Sequence, residues 1–439
     1  MVRGYPGRAS VFSGETLSLH AASDSEAEPF RVFFFRWDGD WELYGKSDLW
    51  TAPLLPAGGS TQAWGWPANP FPIPLDWPSG PYLALFAGAG EDSADLRRDG
   101  GRDLVKDALL RKQSAFFVVK RSPLREPAQI LYKFPLFTYC AYNNEGGGSL
   151  YTGPRERVTL HRPGGGAGGD PCDIGVPDAY DLSSPRQTFA HWDAPFVRWL
   201  ESNGYAVDYC TDLDLHDGSC RLESYRLLLS VGHDEYWSRD MRSRLENFIA
   251  SGGNAAFFSG NTCWWRLHVT DEGTALACNK HRLPGDTEAF DQWMRIDPET
   301  RLTGVSFRYG GGWWSGRRDA LGYEVRKADH WIYAGTGLRN GDTFGGGPEQ
   351  GLIGYECDGA SFADGTPESF QILGTRRLTS NWEYAEHAEG AAATMGIYQN
   401  VGTVFTAATT DWARVLMSDP LVDRITRNVI DGLTAPAKD

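Results

Sequence analysis

Tyr225-Arg226-Leu227-Leu228-Leu229-Ser230-Val231-Gly232-His233-Asp234-Glu235-Tyr236-Trp237 is the stretch on which the reading of this chain turns. Leu227 to Val231 is almost continuously apolar. A strand with one wet face alternates apolar and polar residues, whereas an unbroken run fits a strand covered on both faces, at the centre of a parallel sheet. The residues just downstream agree. Ser238 is a good N-cap for a helix over Arg239 to Ser251, in which Met241, Leu245, Phe248 and Ile249 share one face. Gly252-Gly253 stops that helix, and Asn254 to Phe258 returns as the next strand.

The same rhythm extends upstream. Ile130-Leu131-Tyr132 opens a strand, Ala194 to Glu201 has helical spacing, Asn203-Gly204 caps it, and Tyr205 to Tyr209 reads as a strand. Alternating strands and helices predict a doubly wound α/β domain over residues 127–437, with its site at the strand C-terminal ends. The Gly- and Trp-rich stretch around 300–354 reads as an insertion. Residues 1–121 differ. Phe30 to Trp37, Pro81 to Phe86 and Ser114 to Val119 are β-prone runs separated by turn residues, which predicts an N-terminal β-sandwich of Ig-like type. Glu91 to Arg111 reads as an inserted helix or loop, and Arg121 to Pro127 as a linker.

Composition narrows the function classes. The 439 residues carry a net charge of −15, which disfavours nucleic acid as a partner. No apolar run approaches a membrane span, and the N-terminus lacks the pattern of a secretory signal. Seven cysteines without a CxxC pair fit a reducing, cytoplasmic setting better than a disulfide framework. Seventeen Trp, 18 Tyr and 22 Phe exceed what a core demands, and Trp264-Trp265 and Trp313-Trp314 suit a pocket wall.

Three segments carry candidate chemistry. Behind the buried strand, His233, Asp234 and Glu235 are polar groups that are costly to bury unless paired or coordinated. Glu235 is a candidate metal ligand and His233 a candidate acid or base. The competing reading has Asp234 or Glu235 capping the next helix. The zinc signatures that contain His and Glu are incomplete here. Ser259-Gly260-Asn261 ends the adjacent strand, so Asn261 faces the same crevice unless it merely makes a tight turn. Tyr139, Tyr142 and Tyr151 flank the run Gly146-Gly147-Gly148, where tyrosines packed in a core are the ordinary alternative. A metal-free hydrolase using Ser259, Cys263 or Cys140 is a further option.

Taken together, Tyr139 to Tyr151, Trp199-Leu200-Glu201 with Gly204-Tyr205, Thr211 to His216, Gly232 to Trp237, Gly252 to Asn261 and Gly354-Tyr355-Glu356 resemble the large (beta) subunit family of N,N-dimethylformamidase. The resemblance implies a β module followed by a glutamine-amidotransferase-like, flavodoxin-like α/β domain. It also implies an amide hydrolase holding one mononuclear iron, Fe3+, by two tyrosines and a glutamate. Carried over, Glu235 is the glutamate and Tyr151 one tyrosine. The second is Tyr142 or Tyr139, with Tyr142 preferred. His233, Asn261 and Glu356 then line the substrate site as catalytic residues. The iron would polarise a small amide carbonyl or activate water. A small accessory subunit and a homo-oligomer are both compatible with the resemblance. The alternative class is a non-catalytic protein that binds carbohydrate or another small ligand on its aromatic surfaces.

Overall fold

The computed structural model describes residues 1–88, 113–166, 188–280, 290–314, 318–348, 350–379, 381–382 and 390–436; the element expected over Glu91 to Arg111 lies outside them. At its centre is a nine-stranded mixed sheet. Five strands are parallel, in the spatial order Val207–Thr211, Ile130–Phe134, Leu227–His233, Asn254–Gly260 and Thr403–Thr406. Four antiparallel strands complete it: Ala392–Gln399, Gln371–Arg377, Tyr323–Val325 and Thr343–Phe344. The stretch expected as an insertion therefore supplies the far edge of this sheet.

The apolar run is buried as its composition requires: every residue of Leu227–His233 is buried. Its side chains divide between two layers. Leu227, Leu229 and Val231 join Tyr132, Phe258 and Phe405 beneath the helices Ala194–Ser202 and Pro420–Thr434, with Phe196, Trp412 and Val429 between them. Leu228, Leu131 and Phe257 face Phe137, Leu245 and Phe248 of the helices Leu136–Tyr142 and Arg239–Ala250. Each fully buried Leu or Phe contributes about 1.5–3 kcal/mol. These helices begin where local chemistry starts them. Ser238 accepts from the Met241 amide, and Asp419 accepts from the Leu421 and Val422 amides ahead of Pro420.

The N-terminal strands form two sheets. A six-stranded one contains Glu28–Trp37, Gly80–Gly88 and Ser114–Lys120, and a three-stranded one contains Val2–Pro6, Thr16–Ser23 and Ala68–Pro72. Phe30, Val32 and Phe34 pack with Leu17 and Leu19 between the two sheets. Their neighbours Phe33, Phe35, Leu83 and Phe116 turn the other way and share a core with Phe134 and Phe189 of the α/β part. Covering on both faces explains why these strands read as aromatic runs rather than alternating ones. Among the described residues, no helix is long and apolar enough to cross a membrane.

Candidate active site

The site forms where the strands Ile130–Phe134 and Leu227–His233 end, side by side. Here the order of the parallel strands reverses, with Val207–Thr211 on one side and Asn254–Gly260 on the other. In open α/β sheets such a reversal opens a crevice at the strand C-terminal ends. Register sets His233 opposite Gly260, so Asn261 starts just beyond it. Two glycines are required by this geometry. Gly232 sits at φ +71°, where an added Cβ would lie 2.6 Å from the Trp192 Cβ. A Cβ on Gly260 would strike the backbone of Thr409 and Thr410 at 2.7–2.8 Å.

A buried ion cluster fixes the turn after this strand. Lys133 Nζ lies 2.5 Å from Asp212 and 2.8 Å from Asp234, and Ser230 donates to Asp234 at 2.6 Å. Asp234 is thus a structural anchor. The helix cap is Ser238, so neither Asp234 nor Glu235 serves that role. The Glu235 amide donates to Thr138 Oγ1 at 3.0 Å, and its carbonyl accepts from Trp265 at 2.9 Å, so the backbone of Glu235 is held on two sides.

The Glu235 carboxylate points at two tyrosines. Tyr142 donates to Glu235 Oε2 at 2.7 Å, and the Tyr151 hydroxyl lies 2.9 Å from both carboxylate oxygens. The two hydroxyls are 2.6 Å apart and their rings stack with centroids at 4.2 Å. Tyr142 is the tyrosine that reaches Glu235. Tyr139 is buried in the core, and its hydroxyl has no hydrogen-bond partner among the described residues. Tyr151 is brought in by a turn in which Ser149 Oγ accepts the Tyr151 and Thr152 amides. The buried guanidinium of Arg162 ties this loop down, donating to the carbonyls of Cys140, Asn143, Glu145, Gly148 and Thr159.

Around the cluster, His233 Nε2 lies 2.8 Å from Glu356 Oε2 and 3.6 Å from Glu235 Oε2. Asn261 donates to Glu356 at 3.3 Å, and Trp314 Nε1 donates to it at 2.8 Å. Burial pushes the Glu356 carboxyl up, but the His233 charge and these hydrogen bonds outweigh it and hold the group below its ordinary range. Burial, with Glu235 and Tyr142 beside it, pushes the Tyr151 phenol well up. All six residues expected from the sequence therefore meet in one place.

Two further participants were not among the expected site residues. Tyr236 donates to the Tyr151 hydroxyl at 2.8 Å, and Lys280 donates to Tyr236 while its ammonium sits 3.1 Å from the centre of the Tyr151 ring. Burial pulls Lys280 down to about 8. Tyr236 adjoins Glu235 and was within reach of inspection; Lys280 stands in an unremarkable loop. Among the described residues, no basic side chain is seen hydrogen-bonded to Ser259, Cys140 or Cys263. Ser259 is fully buried and bonds to Thr262 and Ser230, and burial pushes the thiols of Cys140 and Cys263 up. The six cysteines among the described residues are free and buried.

The family described as N,N-dimethylformamidase beta subunit-like, C-terminal, matches residues 37–426. The N,N-dimethylformamidase beta subunit of Alcaligenes sp is 27% identical over 209 residues, covering 43% of this chain and 27% of that protein. That of Paracoccus aminophilus is 26% identical over 213 residues, with the same two shares. The matched stretch is thus about a quarter of those relatives' length. A solved structure, the mmIFT52 N-terminal domain, aligns at 10% identity and a TM-score of 0.30, covering 56% of this chain and 91% of that one, which is too distant to bear on fold or function. With the family match running through nearly the whole chain and every segment of the site, this protein belongs to the N,N-dimethylformamidase beta subunit-like, C-terminal family.

Proposed function

We propose that the chain is an amide hydrolase that cleaves a carbon–nitrogen bond in the crevice above Tyr142, Tyr151 and Glu235. The convergence of their acidic oxygens within 2.6–2.9 Å of one another carries this reading. As a donor set they fit a hard trivalent cation, because they offer oxygen alone and up to three negative charges. Buried phenols stay protonated unless a strong Lewis acid displaces the proton, and the upward push on Tyr151 makes that requirement stricter. Tyr142, Tyr151 and Glu235 would hold a mononuclear iron, Fe3+, which when bound supplies Lewis acidity toward an amide carbonyl.

The chain's own groups would do the rest. In its neutral form His233, held against Glu356, would accept a proton from the attacking water and, once charged, return it to the departing amine. Glu356 keeps the imidazole oriented and stabilises its charged form. Asn261 has a second amide N–H besides the one given to Glu356, placed to donate to the oxygen on which charge develops. Lys280 and Tyr236 supply positive charge and a donated proton behind Tyr151. The fold that presents this set is read as a doubly wound, glutamine-amidotransferase-like domain over 127–437 behind a sandwich over 1–121. The relatives are beta subunits by name, which makes an accessory subunit part of the same proposal.

Amine release from N,N-dimethylformamide by iron-loaded protein tests this. Glu235→Gln is expected to lower the rate by about three orders of magnitude while leaving the fold intact. An unchanged rate in that variant overturns it.

A further inference from the structure

The cavity over the acidic cluster is much larger than a minimal amide needs. Its volume is about 400 Å³, within the range that suits ligands of drug size. Taking ~30 Å³ per water, an amide of the size of N,N-dimethylformamide displaces on the order of 100 Å³ and leaves most of the space to solvent.

The cavity is also chemically divided. Glu235, Glu356, Asn261 and Lys280 gather about the tyrosines. The remaining wall is mostly aromatic, from Trp264, Trp265, Phe290, Phe307 and Trp314, with Gln292 and Arg295 paired to each other at 2.6 Å beside Phe290. The rings support one another. Trp264 meets Trp265 and Phe307 edge-on at 6.3 and 5.6 Å, and Phe307 lies 6.4 Å from Trp314. Trp264 and Phe307 are each only 3% exposed, so the wall is preformed. Trp314 joins the two regions, because its indole N–H holds Glu356 while its ring belongs to the wall. Water against such a wall is poorly held, and a flat apolar group that displaces it gains both burial and edge-to-face contact.

We infer that the substrate is an amide bearing an aryl-sized apolar substituent, seated against the wall of Trp264, Trp265, Phe290 and Phe307 while its amide group lies at the cluster of Tyr142, Tyr151 and Glu235. This rests on the hydrolase reading and adds the substrate class to it. Binding energy gained by the ring, remote from the bond that breaks, is then available to orient the amide.

The test uses the full chain and two measurements. Calorimetric titration compares N-benzylformamide and phenylacetamide with N,N-dimethylformamide, and amine or ammonia release is followed for all three. At least one aryl amide is expected to bind about tenfold more tightly than N,N-dimethylformamide and to show the higher kcat/KM. Phe307→Ala is expected to erase most of that preference, weakening aryl-amide binding far more than N,N-dimethylformamide binding. Phe290→Ala, at a half-buried position, gives the same reading should Phe307→Ala fail to fold. Turnover of N,N-dimethylformamide with no preference for either aryl amide overturns the substrate class and leaves the hydrolase reading standing. Tight aryl-amide binding that Phe307→Ala weakens, with none of the three cleaved, overturns the hydrolase reading and the substrate role together.

Discussion

The Tyr151 hydroxyl contacts Tyr142, Tyr236 and both oxygens of Glu235, so one side chain holds the site together. Glu235 was legible in the sequence because a buried strand must release its first polar residues into the crevice. The choice between Tyr139 and Tyr142 was open because both lie in the short helix Leu136–Tyr142, where residues three apart share a side and spacing does not tell them apart. If His233 moves the proton, His233→Gln lowers kcat by about 10²–10⁴-fold with a small change in KM; a steady-state comparison that finds kcat within threefold refutes the role. A second prediction concerns Glu299, a buried carboxyl outside the site. Burial raises it to about 8 from 4.5, despite a hydrogen bond from Ser306. Between those values the unfolded chain loses the proton and the folded chain keeps it, so stability present below pH 4.5 declines until about pH 8. Glu299→Gln should therefore raise the melting temperature at pH 8 by a few degrees and leave it nearly unchanged at pH 4.5. A variant equally or less stable at pH 8 contradicts this.

Strands and helices that pack by simple periodicity were readable; segments held by distant partners were not. The run Leu227 to Val231 and the apolar stripe of Arg239–Ala250 announce themselves through spacing. The loop from Asn143 to Tyr151 does not, because Arg162 organises it from farther along the chain. Tyr323–Val325 and Thr343–Phe344 are too short to show a period, and their place at the sheet edge is fixed only by pairing. Gly232 joins strand to site. Alanine at an ordinary glycine position often stabilises by restricting the unfolded chain. At φ +71° with Trp192 at 2.6 Å, Gly232→Ala should instead cost about 1–3 kcal/mol and displace His233. Denaturant unfolding measures the cost, and a stability equal to wild type contradicts the strain. Ser238→Ala, which removes the cap on the Met241 amide, should cost about 1 kcal/mol in the same experiment.

At the scale of the whole molecule, the N-terminal sheets and the α/β part share one core. Phe33, Phe35, Leu83 and Phe116 pack in a single cluster with Phe134, Phe189 and their neighbours. In the sequence these strands read as β-prone runs of a sandwich, with no sign that the α/β part would cover their second face. Shared burial predicts one cooperative transition in calorimetry, and two separated transitions would contradict it. The central claim is that Tyr142, Tyr151 and Glu235 form a cation site built from phenols. Visible absorption during titration of the purified protein with ferric iron tests it most directly. A saturable phenolate-to-iron charge-transfer band is expected at one equivalent, lost or strongly weakened in Tyr151→Phe. A wild-type spectrum without that band, or the same band in the variant, would contradict it.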